Sequence, residues 1–206
     1  MAEPFILFDL DNTLYPPESG LMREMDRRMT LFVADWLSVD VETAGEMRRE
    51  RGPRFGTTLE WLREYHGLED PEPYLKAVHP EDVARIVSPD PGLRAFLLSL
   101  PNEYVLFTNS PLEHARRTLA ALAIDDLFPR IWDLRRMGFE GKPSRSAFEL
   151  ILGDLGLAPC EALLVDDNRD NLSAFRDLGG NAFDTKDRSP SSWTVELAEF
   201  LANLNG

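Results

Sequence analysis

The 206-residue chain contains a single cysteine, Cys160, so an internal disulfide is impossible and we expect a reducing, cytoplasmic setting. No apolar run approaches the length that spans a bilayer. The N-terminus lacks the basic segment and long apolar core of a signal peptide. Repeats and low-complexity segments are also missing from the sequence. These absences predict an ordinary globular protein that does not use a membrane.

Positive charge is scarce as well, with 22 Lys and Arg against 36 Asp and Glu and a net charge of −14. Sequence-independent binding to a nucleic acid polymer needs clustered Lys and Arg, so the composition argues against it. A small phosphorylated ligand remains compatible, because a metal ion and one lysine can set the local charge.

The strongest local signal is an apolar run at residues 5–8 that ends in Asp9 and Asp11. A short apolar run with polar residues beyond it is typical of a strand buried on both faces. In an extended strand, residues two apart point to the same side, so these carboxylates should lie close together. We expect them to share a cation or a proton, and we expect Asp9 to raise the pKa of Asp11. The alternative is that the two aspartates merely cap a helix.

The remaining chain divides into a helical stretch and a region where strands and helices alternate. Residues 16–89 predict only helices, at 21–36, 41–51, 58–66, 71–78 and 80–87, the second of them ended by Gly52 and Pro53. Further strands are predicted at 104–110, 131–134, 162–165 and 181–183. Helices are predicted between and after them, at 93–100, 111–123, 144–155, 171–178 and 193–204. The fold class is therefore α/β, a doubly wound (Rossmann-like) parallel sheet built from 1–15 and 90–206, with 16–89 as an inserted helical module.

Three later segments carry polar side chains where ligands of such sheets bind, at the carboxyl ends of strands. Thr108 precedes Ser110, which has the sequence of a helix capping box. We expect Thr108 to contact phosphate, and the alternative is that Thr108 and Ser110 merely cap the helix. Lys142 stands before a helix, where the alternative is a solvated surface charge. Asp166 and Asp167 follow another apolar strand, and the alternative is again a cap, with Asp167 or Asn168 starting the next helix. Several carboxylates converging from two strand ends favour Mg²⁺, which prefers oxygen ligands.

The order of these motifs resembles that of the haloacid dehalogenase (HAD) superfamily across essentially the whole chain. The matching residues, in chain order, are Asp9, Asp11 and Thr13, then Thr108 and Asn109, then Lys142, then Asp166 and Asp167. Residues 16–89 are similar to the helical cap domain that these enzymes carry after the first motif. Residues 9–16 and 55–59 are similar to the pyrimidine 5′-nucleotidase branch.

The resemblance implies a role for each matching residue. Asp9 would be the nucleophile that forms an aspartyl phosphate, and Asp11 the acid and then the base. Mg²⁺ would be held by the carboxylates of Asp9 and Asp167 and the backbone carbonyl of Asp11. Asp166 and Asn171 would orient metal-bound waters. The transferring phosphoryl group would be held by Thr108, Asn109 and Lys142.

The implied activity is that of a Mg²⁺-dependent phosphomonoesterase, with a pyrimidine nucleoside 5′-monophosphate as substrate. Asp11 favours phosphoryl transfer, because the members of the superfamily that remove halide lack an aspartate there. We expect Phe55, Thr57 and Tyr15 to set substrate specificity. Two alternatives stay open: a phosphatase or mutase acting on sugar phosphates or another small metabolite, and a non-catalytic binding protein on the same scaffold.

Overall fold

The computed structural model describes residues 3–51 and 55–204, and within them the centre is a five-stranded parallel sheet. The strands are β1 (Phe5–Phe8), β2 (Tyr104–Phe107), β3 (Ile131–Trp132), β4 (Ala162–Asp166) and β5 (Asn181–Asp184). Their order across the sheet is β3-β2-β1-β4-β5. All five predicted strands form, although β2 ends at Phe107 and β3 at Trp132, earlier than predicted, and the strand order was beyond what the sequence pattern could supply.

The central position of β1 explains why its sequence is uniformly apolar. Phe8 pairs with Leu106 of β2 on one side and with Val165 of β4 on the other. Ile6, Leu7 and Phe8 are fully buried, because helices cover both faces of the sheet. The carboxyl ends of β2, β1 and β4 therefore lie side by side.

The helices that flank the sheet lie on both of its faces, as a doubly wound fold requires. They are α5 (Pro91–Ser99), α6 (Leu112–Ala121), α7 (Arg145–Leu155), α8 (Arg169–Asp177) and α9 (Pro190–Leu204). Phe8 contacts the ring of Trp193 in α9, whereas Phe107, which points to the opposite face, contacts Phe148 in α7. The doubly wound prediction is confirmed.

Four helices lie between β1 and α5 within the described residues: α1 (Leu21–Leu37), α2 (Val41–Arg51), α3 (Thr58–Tyr65) and α4 (Glu72–Val78). The predicted helix at 80–87 is wrong. Only the short 3₁₀ turn Val83–Arg85 forms there, because the bond from Val87 N to Val83 O closes a single turn and nothing extends it. Gly52 and Pro53, the predicted end of α2, lie outside the described residues, and the division into core and cap domains stays a prediction.

Three helices, α5, α8 and α9, begin two or three residues earlier than predicted. Asn168 is the N-cap of α8, and its side chain accepts a hydrogen bond from Asp170 N at 2.9 Å, so the helix begins earlier than expected. Asp90 caps α5 in the same way, ahead of Pro91. No helix in the described part of the chain is both long and apolar enough to cross a bilayer.

Candidate active site

Three strand ends open into one cavity of about 610 Å³. Asp9 follows β1 and donates its backbone N–H to Val165 O of β4, so the motif after β1 lies directly beside the motif after β4. Among the predicted site residues, those that line the cavity are Asp9, Asp11, Thr57, Asn109, Lys142, Asp166, Asp167 and Asn171. The sheet topology thus brings together residues that are far apart in sequence.

Three carboxylates and one ammonium group form the floor of the cavity. Oxygen atoms of Asp9, Asp166 and Asp167 all lie within 4.8 Å of one another. Lys142 Nζ donates to Asp9 Oδ1 at 2.8 Å and to Asp166 Oδ2 at 2.6 Å. The Lys142 side chain is only 1% exposed, so the surface-charge alternative for this lysine is excluded.

Burial and mutual repulsion disturb the titration of this cluster. Burial raises the pKa of Asp9 well above its ordinary value; Lys142 opposes the rise, and the charges of Asp166 and Asp167 add to it. Burial and the charge of Asp166 raise the pKa of Asp167 to about 6. Burial alone would lower the pKa of Lys142, but the charges of Asp166 and Asp9 raise it instead. One ammonium therefore leaves the acidic cluster with excess negative charge.

The loop that carries Lys142 is held by Asn109. The Asn109 side chain accepts from Lys142 N and donates to Lys142 O, both at 2.8 Å. Gly141 makes this approach possible, because a Cβ there would lie 2.5 Å from Asn109 Oδ1. Thr108 is fully buried and is not part of the cavity lining; its hydroxyl oxygen accepts from Ser110 N at 3.0 Å. Thr108 thus shapes the turn that presents Asn109 and Ser110.

The residues around the cluster fit a bound Mg²⁺ ion. Asn171 Nδ2 donates to both oxygens of Asp166, at 3.1 and 3.0 Å, and the Asn12 side chain hydrogen-bonds to Asp167. The amide oxygens of Asn12 and Asn171 are buried and have no hydrogen-bond partner among the described residues. A set of carboxylate oxygens with buried amide oxygens close by matches the ligand preference of Mg²⁺ and its waters.

Asp11 lies in a separate hydrogen-bond network, and the expectation for its pKa was wrong. Its carboxylate accepts from Tyr15 at 2.7 Å and from Ser110 at 2.5 Å, and His114 Nε2 lies 3.1 Å from Oδ1. Burial acts to raise the pKa of Asp11, but His114 and these hydrogen bonds hold it well below its ordinary value. The chain leaves β1 at Phe8 and turns, so the strand rule that pairs the two carboxylates does not apply.

Sequence reasoning missed Ser110 and His114 as partners of Asp11. The sequence predicts a capping box at Ser110, but α6 has Pro111 at its N-cap, and the N-cap residue makes no side-chain hydrogen bond. Leu112 N instead donates to the side chain of Asp133 at 3.1 Å. His114 falls on the buried face of α6, which was the only signal available and is shared by ordinary core residues.

The predicted specificity residues occupy three different environments. Thr57 lines the cavity and caps α3, accepting from Glu60 N at 3.1 Å. Phe55 is not part of the lining, because its ring packs against Tyr65 with centroids 5.0 Å apart. Tyr15 is fully buried and its hydroxyl is bound to Asp11, so it does not face a substrate. Of the three, only Thr57 is placed to contact a ligand.

Residues of the helical insert at 16–89 that the sequence did not single out form the opposite wall of the cavity. Met22, Met25 and Met29 lie along one face of α1 and line the cavity with Arg48. The Arg48 guanidinium donates to Thr30 Oγ1 at 2.6 Å, which ties α2 to α1. The three methionines give this wall an apolar, deformable patch, in contrast to the charged floor.

The chain therefore has a doubly wound α/β fold, with an ionic site of carboxylates and one buried lysine at the carboxyl edge of its parallel sheet. Residues 5–179 match the family of haloacid dehalogenase-like hydrolases, and the chain belongs to that family.

A curated relative also matches most of the chain. The chain is 26% identical over 192 residues to "Phosphate metabolism protein 8" of Saccharomyces cerevisiae, which covers 86% of this chain. It spans 60% of the length of that relative.

Solved structures show the same fold. A haloacid dehalogenase-like hydrolase from Xanthomonas campestris has a TM-score of 0.62 at 17% identity, covering 98% of this chain and 93% of that one. A HAD phosphatase from Thermococcus onnurineus has a TM-score of 0.55 at 19% identity, with coverage of 96% and 97%. At these identities the likeness concerns the fold.

Proposed function

We propose that this hydrolase is a Mg²⁺-dependent phosphomonoesterase that works through an aspartyl phosphate on Asp9. The observation that carries the proposal is the contact of Lys142 with Asp9 inside a cluster of three carboxylates. The Asp9 carboxylate is placed to attack phosphorus, because the Lys142 ammonium lies beside it. The three carboxylates still carry excess negative charge, which a bound metal ion would neutralise.

In the first step, an oxygen of Asp9 forms a bond to phosphorus while the bond from phosphorus to the ester oxygen breaks. Asp11 gives its proton to the departing oxygen. The negative charge of the incoming phosphate favours the protonated form of Asp11, against the network that otherwise keeps it ionised. Lys142 and Asn109 hold the phosphoryl oxygens, and Thr108 supports the turn that carries Asn109.

In the second step, a water attacks the phosphorus of the aspartyl phosphate and the bond to Asp9 breaks. Asp11, now ionised, takes a proton from that water. The low pKa of Asp11 suits this step, since a base must be unprotonated when the water arrives.

The carboxylates of Asp9 and Asp167 and the backbone carbonyl of Asp11 would hold Mg²⁺, with Asp166 and Asn171 orienting its waters. When bound, Mg²⁺ neutralises the charge that gathers on the nucleophile and the phosphoryl oxygens. Without a bound metal ion, the excess negative charge of the cluster repels an anionic substrate.

Phosphate release from p-nitrophenyl phosphate tests the proposal. We expect turnover that EDTA abolishes and Mg²⁺ restores, and we expect Asp9→Asn to remove it. Asp154→Asn, at a half-exposed aspartate that pairs with Arg136, is the matched control and should keep full activity. Metal-independent turnover, or wild-type rates in Asp9→Asn, would contradict the mechanism, and no turnover at all would favour the non-catalytic alternative.

For the substrate we propose a pyrimidine nucleoside 5′-monophosphate. The likeness of residues 9–16 and 55–59 to that branch supports it, as does the wall of methionines, because thioethers pack well on flat rings. Thr57, which lies in the matching segment, lines the same cavity. We further propose that residues 16–89 act as the cap that closes over the substrate.

A release screen over nucleoside monophosphates and sugar phosphates tests the substrate class. We expect uridine or cytidine monophosphate to give the highest kcat/KM. Met22→Ala should raise KM for these nucleotides more than for p-nitrophenyl phosphate, while Phe55→Ala, outside the cavity, should not. A requirement for a bisphosphate activator with little phosphate release would instead indicate a sugar phosphate mutase.

A further inference from the structure

His114 is a fully buried histidine, and among the residues that the structure describes its one hydrogen-bonding contact outside its own helix is with Asp11. Its Nε2 lies 3.1 Å from Asp11 Oδ1, the oxygen that also accepts from the Tyr15 hydroxyl. Ser110 donates to the other oxygen. The Asp11 carboxylate is therefore held by three donors, which come from the turn after β1, the loop after β2 and helix α6.

The second ring nitrogen, Nδ1, indicates which nitrogen of His114 carries the proton. Nδ1 is buried and has no hydrogen-bond partner among the described residues. The proton of the imidazole therefore belongs on Nε2, facing the carboxylate, rather than on Nδ1. A side chain present only for packing would not leave a buried nitrogen unpaired, since a leucine there would avoid that cost.

The His114 ring is fixed from two sides. The ring of His79 lies against it with centroids 4.8 Å apart, and Thr118 Oγ1 lies 3.4 Å from Nε2. The hydroxyls of Tyr15 and Ser110 can turn their hydrogens with a moving carboxylate, but a ring N–H points in one direction. His114 is thus the donor that can define the orientation of Asp11.

Resting on the proposed phosphatase activity, we propose that His114 is a positioning residue that holds Asp11 for proton transfer. The proton that Asp11 gives to the departing oxygen matters most when that oxygen is a poor leaving group. An alkyl phosphate needs the proton as the ester bond breaks, whereas p-nitrophenolate leaves without it. Loss of His114 should therefore slow alkyl phosphates more than p-nitrophenyl phosphate.

The test compares kcat/KM for glycerol 2-phosphate and p-nitrophenyl phosphate with Mg²⁺ present. This ratio reports the steps up to departure of the leaving group, so hydrolysis of the aspartyl phosphate does not enter it. In His114→Leu we expect kcat/KM for glycerol 2-phosphate to fall roughly 10- to 100-fold more than for p-nitrophenyl phosphate, within the range that proton transfer contributes.

Three further variants separate positioning from a structural role. His114→Gln can place an amide N–H near the former Nε2, and we expect the substrate ratio to return to within about threefold of wild type. His114→Asn is polar but too short to reach Asp11, so its ratio should match that of the leucine variant. Leu119→Ala creates a cavity under the same helix and should lower Tm without changing the ratio.

The outcomes distinguish this inference from the proposed function. Equal losses on both substrates in the Leu and Asn variants, with an active wild type, would overturn the positioning role and leave the phosphatase proposal standing. If His114→Leu does not fold, the comparison uses the other two variants. A substrate ratio that is the same in His114→Gln and His114→Asn would then overturn the positioning role. A wild-type protein that releases phosphate from neither substrate would overturn the phosphatase proposal itself.

Discussion

Lys142→Met provides the sharpest test of the electrostatics at the site. Methionine keeps much of the length of the side chain but removes the ammonium that donates to Asp9 at 2.8 Å and Asp166 at 2.6 Å. Breaking a buried ion pair by removing one partner leaves buried charge without compensation and costs about 3–5 kcal/mol. For a chain of this size, that loss lowers Tm by about 10 °C.

The direction of the pH dependence is also determined. Burial already raises the pKa of Asp9 well above its ordinary value, so the folded protein binds a proton there more strongly than the unfolded chain does. Removal of Lys142 strengthens this difference, and the variant should recover stability as pH falls, because protonation removes the unpaired charge. Added Mg²⁺ should also recover part of the loss, since it supplies a cation to the same oxygens.

The measurement is thermal unfolding of the metal-free protein at about pH 7.5 and about pH 5, with and without Mg²⁺. Lys186→Met is the matched control, because Lys186 lines the same cavity but is exposed. We expect the control to change Tm by less than about 2 °C, as exposed charges contribute little. A Lys142 variant that behaves like the control at both pH values would refute the reasoning.

Three other predictions concern the surroundings of the site. Because the pKa of Asp167 is raised to about 6, the stability of the metal-free protein should fall as pH rises toward and through that value. Mg²⁺ should therefore raise Tm more above this pH than below it. Equal increases in Tm on both sides would count against Asp167 as a metal ligand. Gly141→Ala places a Cβ 2.5 Å from Asn109 Oδ1 and should displace Asn109 from its proposed contact with the phosphoryl group. We expect kcat/KM to fall by roughly tenfold. An unchanged value would show that the loop adapts. Thr57→Ala removes the hydrogen bond from Glu60 N at the N-cap of α3, and it should lower the free energy of unfolding in denaturant by about 1 kcal/mol. An unchanged free energy would mean that this N-cap hydrogen bond does not stabilise the fold.

Local sequence pattern was sufficient where the structure depends on neighbours in the chain. The apolar runs of β1 and β4 predict buried strands, because a strand covered on both faces has no polar side. The aspartates that end these runs mark the edge where ligands bind. The prediction failed at 80–87, where helical spacing over so few residues could not sustain more than one turn.

The two aspartates of the first motif show where sequence reasoning ends. Their spacing predicts a shared environment, yet the turn that follows β1 gives the two carboxylates different hydrogen-bond partners. Asp9 lies beside Lys142 and has a raised pKa, whereas Asp11 faces His114 and has a lowered one. A pKa depends on the groups within a few ångströms, and those groups come from other parts of the chain.

The sequence by itself therefore determined most of the elements, the fold class and the identity of the acidic strand ends. The strand order β3-β2-β1-β4-β5 decided which of those ends meet, and the packing of α6 decided that a histidine faces Asp11. The physical reason is range: hydrophobic periodicity acts along a few residues, whereas burial and charge act across whatever the fold places in contact.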